Sequence, residues 1–217
     1  MKDHLMVEVP ISDGSGVLHR YADLRPIGGE QRNVDVWLPP GYADSSQRYP
    51  VLYLHDGQNL FDPAVANTGV DWGIDEAIVR LMRDTGHPGA IVVGVWHGSQ
   101  RWRDYMPQAA WAALQAAGVS TPYLTRADGP PWSDDYLRFL VADVKPLVDA
   151  TYRTLPDQPH TLVMGSSMGG LISLYALEEY PEVFGGAGCL STHWPAGGDP
   201  LVDFLAARLP APGRHRL

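Results

Sequence analysis

Apolar positions along the chain follow two patterns that take turns. Short runs rich in β-branched and aromatic residues read as strands: "NVDVWLPP" at 33–40, Val51–Leu54, "AIVVGV" at 90–95, "HTLVM" at 160–164 and "GGAGCLS" at 185–191. Between them apolar residues recur at helical spacing. Ile74, Ala77, Ile78 and Leu81 predict a helix stopped by Gly86. Leu137, Leu140, Val141, Val144 and Val148 predict another, capped by Ser133 and bent or ended early by Pro146. "MGGLISLYALEEY" from Met168 and a stretch from about 200 to 208 complete the set.

Strands alternating with helices predict an α/β fold, doubly wound around a mostly parallel sheet. With one strand before residue 33, "HRL" at 215–217 counts as the start of a seventh, so the reading is a single domain over 1–217, truncated after about the sixth to seventh strand. Residues 96–132 differ in kind: they carry Trp96, Trp102, Trp111 and Trp132 among glycines and prolines, with one Ala-rich helical piece at 108–117. Long connections of this sort in compact domains usually serve function.

Bulk composition narrows the class. With 217 residues, 45% of them hydrophobic, the chain is long enough for one sizeable core. A formal net charge of −9 without any Lys/Arg run argues against nucleic acid or an anionic membrane as partner. A lone Cys189 in an apolar stretch leaves no internal disulfide and reads as a buried, inert thiol. "MKDHLMVEVPISDGSG" lacks the apolar run of a secretory signal, and a cytoplasmic location is the expectation.

Chemistry concentrates at Gly165-Ser166-Ser167-Met168-Gly169, which fits G-x-S-x-G between an apolar strand and a helix. That motif puts its serine on a strained turn and needs small residues on either side. Ser167 is therefore the candidate nucleophile, and Ser166, without symmetric glycine flanks, is the competing serine. The helix beginning at Met168 directs its N–H at the reacting centre, a donor for a developing oxyanion. "HDGQNLF" follows the strand at 51–54, and the N–H of Gln58 is the candidate second donor, with Gly57 allowing close approach. His55 and Asp56 read as loop-bracing residues.

The stretches "YPVLYLHDGQNLFD", "IVVGVW", "RDYMP", "LVMGSSMGGLISLYALEEYPEVFGGAGCLS" and "THW" resemble the α/β-hydrolase family that includes esterase D, feruloyl esterases, enterobactin esterases and the antigen 85 mycolyltransferases. The resemblance spans most of residues 33–195. It implies hydrolysis of carboxylic esters through an acyl-enzyme without metal or organic cofactor, with Ser167 as nucleophile and the N–H groups of Met168 and Gln58 as oxyanion hole. It also implies an acid after the seventh strand and a histidine after the eighth, positions that fall beyond residue 217. Asp199 or Asp203 with His215 supply only a formal substitute. His193, just past the 186–190 strand, is the weak local candidate for the base, and more often such a histidine walls a pocket.

Trp96, His97, His193 and Trp194 are the candidate substrate contacts, and a small-molecule ester, with a small, aromatic or sugar-linked acyl group, is the expected ligand. Arg101 and Arg103 read as loop braces ahead of carboxylate binders. His4, His19, His87 and His160 read as ordinary surface or strand-end histidines. If the sheet stops near 190, its last strand is an open edge and the expected seat of self-association. A non-catalytic binding module and an acyltransferase using the same serine are the alternatives.

Overall fold

The structure, a computed structural model, describes residues 5–11, 15–25, 29–125 and 129–217; His4 and part of the 96–132 connection lie outside them. In chain order the elements are β1 (Met6–Val9), β2 (Val17–Leu24), β3 (Arg32–Leu38), β4 (Val51–His55), α1 (Ile74–Thr85), β5 (Ile91–Val95), α2 (Arg101–Tyr105), α3 (Gln108–Ala116), α4 (Ser133–Phe139), α5 (Lys145–Thr151), β6 (Thr161–Ser166), α6 (Met168–Glu179), β7 (Gly186–Leu190) and α7 (Gly198–Ala206).

The sheet has seven strands in the order β1, β2, β3, β5, β4, β6, β7. β5, β4, β6 and β7 are mutually parallel, as the βα alternation predicts, whereas β1, β2 and β3 join antiparallel and β3 meets β5 antiparallel. The expectation of one amino-terminal strand is corrected to two, because "MVEV" and "VLHRYADL" form a hairpin-like pair whose outer member is too short to register as a pattern. The sheet is mixed, and residues 215–217 follow a seventh strand instead of starting one. Arg216 bridges in parallel to Gly186, with the Ala187 N–H donating to the Arg216 carbonyl at 2.9 Å, so the outer edge of β7 is partly occupied at that end.

Apolar side chains cover both faces of the sheet. On one face Val34, Val36, Tyr53, Val93 and Val163 pack with Leu137, Leu140, Val144 and Val148 and with Leu171, Ile172 and Tyr175 of α6. On the other, Trp37, Leu54 and Val92 meet Leu60, Phe61 and Ile78. α1 ends at Gly86, which takes a left-handed φ of 70°, as a helix stop should. Its buried face, however, holds Asp75 and Ile78, while Leu81 is 45% exposed.

Two helix expectations are corrected. Ser133 does not cap its own helix; its hydroxyl accepts the Gln108 N–H at 2.9 Å and so satisfies the start of α3. Pro146 does not end the helical run. A π turn at Leu140–Val144 precedes it, with the Lys145 N–H reaching back to the Leu140 carbonyl, and the chain continues as α5. The wider turn accommodates a residue that has no N–H for the Ala142 carbonyl and whose ring would crowd it.

Asp75 is the costly group in this core. It is 1% exposed and accepts a hydrogen bond from the Ser15 hydroxyl at 3.1 Å, while among the described residues its Oδ1 and the neighbouring Glu76 Oε2 have no partner. Burial, reinforced by the Glu76 carboxyl, pushes Asp75 up to about 7. A carboxyl raised on folding contributes stability that is complete below its unfolded pKa and is lost as pH rises through the folded one. The urea midpoint is therefore expected to fall between pH 5 and pH 8, and Asp75→Asn to flatten that fall.

Candidate active site

β4, β5, β6 and β7 finish on the same side of the sheet, at His55, Val95, Ser166 and Leu190. The chain leaves β4 toward β5 and leaves β6 toward β7, in opposite directions, which opens a crevice between the ends of β4 and β6. Ser167 stands there, on the one-residue turn between β6 and α6, with φ 60° and ψ −118°. A non-glycine residue in that region costs about 1–3 kcal/mol, and the surroundings hold it in place. Its N–H donates to the Leu190 carbonyl at 2.9 Å, and its carbonyl accepts from Gly170, Leu171 and His193.

Of the two flanking glycines, Gly165 is required by contact. A Cβ on Gly165 would stand 2.6 Å from the backbone of Gly169, so helix and strand cross where any side chain would part them. Gly169 in turn lies against Asp56 and His55, which brings the start of α6 onto the turn after β4. The N–H of Met168 has no protein acceptor among the described residues, and the same holds for Gln58 in the short turn Gly57–Asn59. Gly57 is needed for another reason than the one expected: its Cβ would lie 2.5 Å from the Gly94 backbone, so glycine lets the turn rest on β5.

A cavity of about 380 Å³ is lined by Ser167, Met168 and His193 together with Ser99–Trp102 and Tyr123. The His193 ring meets Tyr123 edge-on, 4.6 Å between centroids. No side chain among the described residues hydrogen-bonds the Ser167 hydroxyl, His193 included.

Beneath the cavity lies a polar network. Asp56, left-handed at φ 62° and buried, is gripped at both oxygens by Arg101 at 2.6 and 2.7 Å, and its N–H donates to the Tyr105 hydroxyl at 3.1 Å. His55 is fully buried and shares a 2.6 Å hydrogen bond with the Tyr136 hydroxyl; burial lowers it to about 3, so the ring is neutral at ordinary pH. Bracing, as expected for this pair, is what the geometry shows.

The profile of the family described as "Putative esterase" matches residues 27–205. The chain belongs to this esterase family. Among curated relatives, the ferri-bacillibactin esterase BesA of Bacillus subtilis is 28% identical over 179 residues, which cover 76% of this chain and 56% of that protein. The uncharacterized protein YbbA of the same organism is 25% identical over 164 residues, covering 75% of this chain and 58% of that protein. The chain thus spans little more than half the length of these relatives. Among solved structures, the siderophore hydrolase EstA from Aspergillus nidulans superposes with a TM-score of 0.68 at 20% identity, over 92% of this chain and 65% of that one. An IroE-like serine hydrolase from Shewanella oneidensis gives 0.62 at 23% identity, over 88% and 55%. The fold is accordingly that of the α/β-hydrolase esterases.

Within this esterase fold the expected contacts divide. Ser167, Met168 and His193 line the cavity; Trp96, His97 and Trp194 do not. Trp96 donates its indole N–H to Asp35 at 2.8 Å and carries the Arg20 guanidinium on its ring, so it is tied to β3. His97 bonds Asn67 at 3.2 Å, and its backbone N–H donates to the Gln58 side-chain oxygen at 3.3 Å. Gln58 is also absent from the cavity lining. Trp194 is exposed at the start of the turn Trp194–Ala196. The structure adds Trp102, from the tryptophan-rich connection, and Tyr123, which no local pattern marks.

His215 hydrogen-bonds Gln158 and the Pro181 carbonyl, both at 2.8 Å, beside the turn that precedes β6 and so at the opposite end of the strand from Ser167. Asp199 and Asp203 are exposed on α7. The Ser167–Asp–His215 order is therefore not a spatial cluster. His19 is more than a surface histidine, since its Nδ1 bonds the Tyr152 hydroxyl at 2.9 Å and burial lowers its pKa. Arg103 stacks on Trp132 at 3.5 Å and donates to the Pro130 carbonyl, a brace as expected. Cys189 is half-buried, not fully buried; burial pushes its thiol up to about 11, which keeps it protonated at neutral pH. Among the described residues no helix is long and apolar enough to cross a membrane.

Proposed function

We propose that the protein is a serine carboxylic-ester hydrolase working through an acyl-enzyme. The observation that carries this reading is Ser167 on a strained turn lining the cavity, at the amino end of α6, with the Met168 N–H uncommitted beside it. In the proposed cycle the Ser167 oxygen attacks the ester carbonyl carbon and the carbonyl electrons move to oxygen. The N–H groups of Met168 and Gln58 stabilise that charge. The C–O bond then breaks, the alcohol departs with a proton, and water repeats the attack to free the acid.

The attack releases the Ser167 proton, which a base must take up. His193 is a wall of the cavity in this arrangement, because its ring packs on Tyr123 and is not bonded to Ser167. That same observation is what favours a second reading, a hydrolase-like binding module without turnover.

Aromatic or small acyl groups suit the rings of Trp102 and Tyr123, and relatives are named for ferri-bacillibactin and, in a xylanase/feruloyl esterase from Xylanibacter ruminicola, feruloyl ester chemistry. The test is turnover of p-nitrophenyl acetate and methyl ferulate against buffer: release of p-nitrophenol or ferulate above background is expected, and absence of both favours the module. We also propose that the free stretch of the β7 edge mediates self-association. Sedimentation should then show a dimer that dissociates on dilution, and a monomer at high concentration contradicts it.

A further inference from the structure

One wall of the cavity is made by the run Ser99–Gln100–Arg101–Trp102, which opens α2, a helix of only five residues. A helix that short does not persist by its own hydrogen bonds, and Gln100, at its N-cap, makes no capping bond with its side chain. Its support comes instead from the approach to β3, some seventy positions earlier in the chain. The Glu30 carboxylate accepts the Ser99 N–H at 2.7 Å through Oε2 and the Ser99 hydroxyl at 2.6 Å through Oε1. Two residues on, Arg32 grips Asp104 near the far end of α2 with two hydrogen bonds, 3.1 and 3.3 Å, and Trp132 adds a third to the same carboxylate at 2.8 Å.

Gly98 completes the fit. A Cβ there would lie 2.1 Å from the Glu30 Oε2, so the carboxylate seats against bare backbone. The Ser99 hydroxyl, with the N–H groups of Ser99 and Gln100, holds the Glu30 carboxyl below the usual carboxylate range.

We propose that Glu30 is a positioning residue for substrate: by anchoring Ser99 it fixes one wall of the cavity that Ser167 also lines, and it sets how tightly an acyl group fits without touching the reacting atoms. Glu30 and Arg32 together act as a strap over the ends of α2. Arg32 and Asp104 are both buried, so removing either threatens the fold. Glu30 is partly exposed and carries the clean test. The proposal rests on the serine-hydrolase reading, and the experiment separates the two.

An aryl fluorophosphonate is titrated against the full chain, giving its binding constant KI and its bonding rate kinact. Glu30→Ala is expected to raise KI about tenfold, the scale of losing hydrogen bonds to a charged group, and to leave kinact within about twofold. Glu30→Gln, which keeps an acceptor oxygen for Ser99, should restore most of the affinity, and Gly98→Ala, which displaces the carboxylate, should reproduce the loss. Hydrogen exchange should quicken at the amides of 99–102 in Glu30→Ala and not in α6. An unchanged KI, or KI and kinact worsening together with a lower melting temperature, overturns the proposal. Should the parent take no label at Ser167, the serine reading fails, and the exchange at 99–102 still decides: no change there overturns the anchoring.

Discussion

Replacing Ser167 with alanine is expected to reduce p-nitrophenyl acetate turnover at least about 100-fold, toward the buffer rate, because the acyl group then has no oxygen to bond. The fold should survive. Ser167 is held through its N–H and carbonyl, to Leu190, Gly170, Leu171 and His193, and none of these bonds uses the hydroxyl. The positive φ of 60° tolerates alanine no worse than serine, so circular dichroism and melting should be close to the parent. A Ser167→Ala protein that keeps the parent rate would remove the nucleophile from this residue.

Arg101→Leu should destabilise the fold. It strands the Asp56 carboxylate, whose side chain is only 3% exposed, while Arg101 itself retains 30% exposure. Breaking a buried pair from one side costs about 3–5 kcal/mol, and the partial exposure of Arg101 places the expectation near the lower end, about 3 kcal/mol. For a domain of this size that corresponds to roughly 6–12 °C in Tm. Adding Asp56→Asn should recover much of the loss, since no charge is then left buried, and the double-mutant cycle measures the coupling directly. Turnover should not recover in the double variant if the turn at 56–58 holds the second oxyanion donor. A loss below about 1 kcal/mol for Arg101→Leu would show that solvent reaches Asp56 and that the pair is not a buried brace.

The parts of the fold that the sequence makes legible are those decided within one turn or one strand. The stop of α1 at left-handed Gly86, the parallel strands at β4, β5, β6 and β7, and the turn at Ser167 beside Gly165, whose Cβ would collide, all follow from local spacing and glycine placement. The parts that escape it depend on partners far along the chain. In "RWRDY" a local reading would pair Arg101 with Asp104, one helical turn apart. The fold instead sends Arg101 to Asp56 and Asp104 to Arg32, separations of 45 and 72 residues. Ser133 fails in the same way, capping α3 across 25 residues in place of its own helix.

Of the candidate contacts, His193 was legible because it directly follows a strand whose end borders the serine. Trp96 misled, although it too follows a strand, because its indole turns toward Asp35 on β3 and away from the cavity. Tyr123 carries no such local mark; its segment reaches His193 through the long-range tie of the Thr121 hydroxyl to the Ala196 carbonyl at 2.9 Å.

The central claim is that the hydroxyl of residue 167 is the group that attacks the ester. Peptide mapping after treatment with a fluorophosphonate tests it most directly. The account predicts the phosphonyl mass on the peptide carrying Ser167 and its absence in Ser167→Ala; a label on Ser166 or another residue, or ester turnover by a protein that takes no label, would contradict it.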